Sequence, residues 1–295
     1  MKTAVILLSL VVYASTATLP QISYDSSPYG YLTKYGIPEA DRIREAEEKI
    51  LSGSRITGGS PAALGQFKYQ AGLLSEIIGI PSDRRGVCGA SLISANRLVT
   101  AAHCWFDGRN QASRLTVVLG SNFLNFGGTR IQTSDVVVHP LWFPLLVRND
   151  IALIRLANNV LFSDTIGPIA LPTGALTSQT FEGEAGVASG FGITADGGGI
   201  ANNQFLSYVS MNILSHAQCV QAFPLQASTA TLCTQTTGGT STCRGDSGGP
   251  LVVQRDNNPV LVGITSFGIA FGCTIGYPAA FVRVTSYVNF INENL

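Results

Sequence analysis

"CRGDSGGP", residues Cys243 to Pro250, sets Ser247 among Gly245, Gly248 and Gly249. Glycines on both sides let the backbone turn tightly, so the serine hydroxyl is exposed and neighbouring N–H groups can aim outward. Taken alone, a plain glycine-rich turn accounts for the stretch equally well. The choice depends on partners elsewhere in the chain. A serine nucleophile needs a base, and the base needs a carboxylate to orient it.

The stretch also fits G-x-S-x-G, the nucleophile elbow of α/β-hydrolases, in which the acid and the histidine follow the serine. The histidines here are His103, His139 and His216, and all precede Ser247. Chain order therefore excludes the elbow. "LVTAAHCW" puts His103 at the end of an apolar strand, beside a cysteine able to pin the loop. A polar ring closing a buried strand is costly without a partner. His139 in "VVVHPLW" sits in a similar setting, so position does not choose between the two. "RNDIALIRL" carries Asp150 directly before an apolar strand, where a carboxylate is short of water; an isolated Asp there is otherwise an N-cap or turn residue.

The bulk properties fit a large folded domain. The chain has 295 residues, 45% hydrophobic and only 12% charged, enough to bury a sizeable core. Its formal net charge of +0 gives no basic face for nucleic acid. Lys2, the apolar run Ala4 to Val12 and the small residues Ser15-Thr16-Ala17 read as a secretory signal peptide over 1–17. That run is about half the ~20 residues a membrane span needs, so no membrane attachment is expected. The six cysteines, Cys88, Cys104, Cys219, Cys233, Cys243 and Cys273, suggest three disulfides, with fifteen pairings open by count. No C-x-x-C occurs and the histidines are scattered, so no metal and no cofactor is expected.

Two regions differ in character. Residues 18–35 are rich in Ser, Tyr, Pro and Gly and read as irregular, whereas "PEADRIREAEEKI" predicts a short amphipathic helix. Pro38 stands at its start, Ile43, Ala46 and Ile50 share a face, and Glu45 faces Lys49. One such helix is no domain: it must lean on something or come away. Beyond Ile56 the pattern is of short β-branched runs such as "RLTVVLG", "IALIRL", "GVASGFG" and "PVLVGITSF", bounded by turn residues. "VVQRDNNPVLVG" reads as a hairpin turning at Asp256-Asn257-Asn258, and Val284, Val288, Ile291 and Leu295 recur at helical spacing. The body, 56–295, is thus all-β with a C-terminal helix, and two packed barrels jointed near Gly167 would fit it.

His103, Asp150 and Ser247, in "TAAHC", "DIAL" and "GDSGGP", together resemble the chymotrypsin-like, trypsin-fold serine proteases over Ile56 to Leu295. The resemblance implies two six-stranded antiparallel β-barrels with the active site in the cleft between them. It implies the pairings Cys88–Cys104, Cys219–Cys233 and Cys243–Cys273. It gives Ser247 as nucleophile, His103 as base, Asp150 as its orienting acid, and the N–H groups of Gly245 and Ser247 as an oxyanion hole. Ser266 would support the acid. "GSRITGGSP" resembles the family's activation site: cleavage after Arg55 would free the α-amino group of Ile56 to dock beside Asp246, making 18–55 an untethered activation propeptide.

The same resemblance places the specificity pocket on Ser241 at the floor and Gly268 and Ala279 on the walls. A neutral floor argues against basic substrates, and an open mouth favours large apolar or aromatic side chains. "SFGIAFGCTIGYPAAFVRV" is similar to arthropod digestive chymotrypsins and serine collagenases, though the latter often carry an acid where Ala279 stands. Vertebrate relatives hold calcium with carboxylates between about Gly120 and Asp135; Ser121, Asn122 and Asn125 stand there, so calcium is not expected. Protein and peptide substrates, an activating trypsin-like protease and protein inhibitors are the expected partners of a monomer, secreted to an extracellular space such as a gut lumen. The rival readings are a regulatory protease of narrow specificity and a non-catalytic homologue serving as a binding module, which would usually have lost a triad residue. Beyond Ile56 stand eleven arginines and one lysine, Lys68. Arginine keeps its charge to beyond pH ~12, which suits an alkaline fluid.

Overall fold

The computed structural model describes residues 27–51, 62–193, 205–236, 241–268, 272–273 and 275–295. The expected signal peptide, Arg55 and Ile56 lie outside them. Seven strand segments build the first sheet: β1 (Gln70–Ile77), β2 (Gly86–Ser94), β3 (Arg97–Thr100), β4 (Ala112–Leu119), β5 (Thr129–Thr133), β6 (Val136–Val138) and β7 (Ala152–Arg155). They pair antiparallel in the order β5-β4-β1-β2-β3-β7-β6. Segments β5 and β6 are one run bent at Ser134 and Asp135. Its first half pairs with β4 and its second with β7, so six strands close on themselves. The inner faces bury Leu73, Leu92, Leu98, Val117 and Leu153.

The second sheet holds β8 (Ala185–Gly190), β9 (Ser207–Asn212), β10 (Thr231–Thr234), β11 (Pro250–Arg255), β12 (Asn258–Phe267) and β13 (Ala279–Arg283). Its order is β10-β13-β12-β11-β8-β9, and a bridge between Ile213 and Thr234 joins the two edges. The predicted hairpin is β11–β12. Asp256 and Asn257 both take positive φ (48° and 63°), the two-residue turn whose twist matches the strands. A third helical element, α2 (His216–Ala222), starts with a capping box between Ser215 and Gln218. The terminal helix α3 (Val288–Asn292) follows a 3₁₀ turn, with Val284 and Ile291 fully buried.

The chain passes from one barrel to the other at Ile169 and Ala170. Ile169 N–H donates to Leu92 O in the first (2.8 Å), and Leu261 N–H of the second donates to Ala170 O (2.9 Å). Across the interface Ser189 Oγ donates to Gln70 Oε1 at 2.7 Å. Among the described residues the disulfides are Cys88–Cys104, Cys219–Cys233 and Cys243–Cys273, the pairing expected from the resemblance.

The leading helix α1 (Ile37–Leu51), preceded by a π-helical turn at Leu32–Gly36, leans on the barrels. Ile43 is fully buried and Ala46 nearly so; Ile43 packs in a cluster with Leu74, Val87, Val118, Leu124, Phe191 and Leu206. The irregular reading of 18–35 is corrected at its end, where Leu32–Gly36 continue the helix N-terminally. Tertiary burial of Leu32 overrides a composition that favours turns.

The Cys88–Cys104 bridge closes a loop with a sequence separation of 16, which constrains the unfolded chain by about 3 kcal/mol. Replacing both cysteines by alanine is expected to lower the free energy of urea unfolding by that order, read from the shift in midpoint at unchanged slope.

Candidate active site

His103 and Asp150 come together because adjacent strands end side by side. His103 lies in the 3₁₀ turn Ala102–Cys104 after β3, tied back by the disulfide to Cys88 on β2. Asp150 precedes β7, the antiparallel neighbour of β3. The His103 N–H donates to Asp150 Oδ1 at 2.9 Å, and the ring Nδ1 stands 2.8 Å from Oδ2. Ser266 Oγ, on β12, donates to the same Oδ2 at 2.6 Å. Both His103 (0% exposed) and Asp150 (1%) are removed from water, so these bonds are what make burial of the carboxylate tolerable. An Nδ1–H given to the carboxylate leaves Nε2 as the basic nitrogen.

The serine loop is set by its glycines and by Asp246. Gly245 has φ +97° and Gly248 φ +81°, conformations that side chains rarely adopt. A Cβ at Gly248 would also run into Thr100 Oγ1 and Gly89 O. The loop is stitched to the first barrel by Gly89 N–H donating to Ser247 O (2.7 Å), and to the second by Gly248 N–H donating to Thr265 O (2.8 Å). The Asp246 carboxylate points inward and accepts from Gly192 N–H (2.7 Å) and Cys243 N–H (2.8 Å). Burial pushes its pKa from an ordinary 3.8 up to about 6. Those two N–H groups oppose the rise; Glu39 of α1 adds to it and Arg42 counters it.

One residue that sequence reasoning missed occupies the centre of this arrangement. The Tyr31 ring meets His103 edge-on, with centroids 4.8 Å apart. The phenol donates to Val87 O at 3.0 Å. Burial raises its pKa, while the Ser247 side chain and the Gly245 N–H beside it act the other way. Its side chain therefore fills the space between His103, Ser247 and Gly245. His103 Nε2 is buried without a hydrogen-bond partner among the described residues. Only the cluster Tyr29, Tyr31 and Tyr35 in an otherwise small-residue stretch hinted at this in the sequence.

The structure also separates the two histidines. His139 packs its ring against Tyr287 and Phe290, with Nδ1 accepting from Leu141 N–H (3.2 Å), and is a scaffold residue beside α3. Of the expected pocket residues, Ser241 turns its hydroxyl to Thr242 O (2.9 Å) and Ala279 is buried at the start of β13. A Cβ placed on Gly268 would meet nothing within 4 Å, leaving that wall open. Cys88, His103 and Cys104 lie near enough to share an ion, but both sulfurs are tied in the disulfide and offer no thiolate. The 121–126 loop takes its anion from α1: the fully buried Glu47 carboxylate accepts from Leu124 N–H (2.5 Å) and Asn125 N–H (2.8 Å). Among the described residues no helix is long and apolar enough to cross a membrane.

Two closed β-barrels with a buried His–Asp pair and a serine held in a glycine-rich turn define the class of serine proteases built on the chymotrypsin fold. The chain belongs to the trypsin family: the family model described as Trypsin matches residues 56–291. A protein named collagenase, from Hypoderma lineatum, is 36% identical over 241 residues, 81% of this chain and 87% of that protein. Brachyurin from Leptuca pugilator is 36% identical over 239 residues, 80% of this chain and 96% of that one. A solved structure of HL collagenase superposes with a TM-score of 0.71 at 35% identity, covering 81% of this chain and 98% of that one. The protein is therefore a serine protease, with protein substrates and inhibitors as its class of partners.

The Asp246 shift makes a prediction for the uncut chain. A carboxyl whose folded-state pKa is raised stabilises most fully below its ordinary value, and that contribution is lost as pH rises through about 6. At ~1.4 kcal/mol per tenfold change in proton affinity, the loss is about 3 kcal/mol. In an Arg55→Gln chain, urea midpoints are expected to fall between pH 4 and 6, and Asp246→Asn is expected to flatten that part of the profile.

Proposed function

We propose that the protein is a secreted serine endopeptidase, made as a zymogen, that cleaves after large apolar or aromatic residues. The observation that carries the catalytic part is the buried His103 held by Asp150 through both its N–H and Nδ1, with Ser266 supporting the same carboxylate. Ser247 Oγ attacks the peptide carbonyl carbon as His103 Nε2 takes its proton. The developing oxyanion is held by the Gly245 and Ser247 N–H groups. His103, oriented and electrostatically supported by Asp150 and through it by Ser266, then protonates the leaving amine, and water releases the acyl group by the reverse exchange. No metal or cofactor is needed for any of these steps.

Activation is read as scission between Arg55 and Ile56 by a trypsin-like protease. What supports it is the state of Asp246, a buried carboxylate that among the described residues accepts from two backbone N–H groups. An Ile56 ammonium docking there would supply the missing charge, and leaving a buried charge without its partner costs about 3–5 kcal/mol. The same loop carries Gly245, so docking would also fix the oxyanion donors. Secretion rests on residues 1–17 and on the three disulfides, which persist in oxidising compartments. The active form is taken to be a monomer, with 56–295 as the catalytic domain.

Specificity is read from a pocket with no carboxylate at 241 or 279: Ser241 has spent its hydroxyl on Thr242 O, and Ala279 adds one methyl to the wall. A general digestive role in an alkaline fluid suits an unrestricted apolar pocket and an arginine-rich body. The activated enzyme is expected to select Phe, Tyr and Leu before the scissile bond in a peptide library; dominant cleavage after Arg or Lys would overturn the pocket assignment. Ser247→Ala is expected to lower kcat by about 10⁶-fold. Asp150→Asn should lower it by about 10⁴-fold, the effect seen when this class of triad loses its orienting acid. Activity collapsing between pH ~8 and ~9, where a free α-amino group ordinarily loses its proton, would remove the alkaline role.

A further inference from the structure

We infer that residues 27–51 are a tight-binding inhibitor of the chain's own active site, with the Tyr31 phenol seated where a substrate's carbonyl oxygen belongs, and that the segment keeps this hold after the chain is cut. The inference rests on the zymogen reading for the cut at Arg55; the occupation of the cleft is independent of it.

Three features make the segment an occupant of the cleft rather than a passing chain. Tyr31 engages every part of the chemistry at once. Its ring caps His103, and its oxygen is met by the Ser247 side chain and the Gly245 N–H and donates to Val87 O. It shuts water out as well, leaving His103 Nε2 buried with no acceptor or donor among the described residues. Its flanks are anchored on both sides of the cleft. Asp107 takes Gly30 N–H on its carbonyl (3.2 Å) and Leu32 N–H on Oδ2 (2.8 Å), and Ser27 Oγ donates to Pro144 O (3.0 Å). Further out, the Arg244 guanidinium lies 4.6 Å from the Tyr35 ring centroid, and Glu47 holds the 121–126 loop.

The segment is also placed so that the enzyme cannot destroy it. What stands at the oxyanion position is a phenol, which has no acyl carbon for Ser247 to attack. The backbone at Tyr31 is helical (φ −50°, ψ −47°) and runs straight into Leu32–Gly36, whereas a peptide laid along a sheet edge is extended. Nothing covalent retains it once the chain is cut, because every cysteine lies at or beyond Cys88 and all are paired within the body. What remains is the burial of Tyr31, Leu32, Ile37, Ala40, Ile43 and Ala46 together with the hydrogen bonds.

The test uses the full chain cut quantitatively between Arg55 and Ile56, with scission verified by mass. Specific activity of the cut wild-type protein is expected to rise on serial dilution, with onset of turnover competitive with substrate, and to reach its ceiling once the segment is removed by gel filtration. Tyr31→Ala should weaken the hold about tenfold or more, so that its specific activity is already maximal in concentrated solution. Tyr31→Phe, which keeps the ring and loses the oxygen, should fall between. A cut wild-type protein whose specific activity is independent of concentration and unchanged by gel filtration overturns the inference, and that readout needs no variant to fold. Equal behaviour of wild type and Tyr31→Phe overturns the placement of the phenol oxygen. Failure of the zymogen reading shows separately, as turnover by the intact Arg55→Gln/Tyr31→Ala chain at the rate of the cut enzyme.

Discussion

A single buried carboxylate, that of Asp246, holds the serine loop in shape. A charge in an apolar interior is tolerated only as far as its neighbours satisfy it. Here two backbone N–H groups converge on it: that of Cys243, three residues earlier, closes Cys243–Asp246 into a turn, and that of Gly192 ties the turn to a neighbouring segment. Gly245 at positive φ and Ser247 are carried by that turn, so the direction of their N–H groups follows from where the carboxylate sits. Burial raises the carboxylate's pKa more than the two N–H groups lower it. A loop with a partly neutralised anion at its root responds to any new positive charge brought beside it.

The leading segment acts on the same place by other means. Its Glu39 raises the electrostatic cost at Asp246 while Arg42, paired with Glu39, offsets part of it. A Cβ on Gly245 would come within 3.0 Å of Glu39 Cγ, so α1 packs against the loop as well as over the cleft. A phenol suits the proposed oxyanion position because it can accept from donors such as the Gly245 N–H and still give its own proton away, as it does to Val87 O. The donors are thereby satisfied without a reactive carbonyl in reach of Ser247.

Much of this was legible in the sequence, and what was not has identifiable causes. "GDSGGP", "TAAHC" and "DIAL" point to the three residues proposed as catalytic because the proposed roles demand those residue types with small or apolar flanks. The β11–β12 hairpin followed from Asp256-Asn257, which tolerate positive φ. The bend dividing β5 from β6 did not, since the run is interrupted by only Ser134 and Asp135 and the two halves pair with strands distant in sequence. His103 and His139 were indistinguishable because each follows an apolar run, and the runs before both, β3 and β6, pair with β7; what separates them is the direction of the Asp150 carboxylate, which meets His103. Tyr31 was invisible for a different reason. A residue's periodicity records which face it buries, and Tyr31 is buried by a long-range contact made from the end of a helix, where no repeat can register it.

The absence of a tether decides how such a segment behaves. While it is joined to the body, its effective concentration at the cleft is of the order of millimolar, so even modest affinity keeps the cleft closed. Cutting after Arg55 breaks no contact in the cleft; it converts an intramolecular contact into an intermolecular one. Each large apolar side chain buried against the body contributes about 1.5–3 kcal/mol. Against them stand the ordering of the freed segment and its lost translational freedom, about 4–15 kcal/mol. The two are of the same order, so the inferred hold depends on enzyme concentration. An untethered inhibitor of this kind restrains the enzyme where it is stored and releases it where it is diluted, whereas a disulfide-tethered one would restrain it in both.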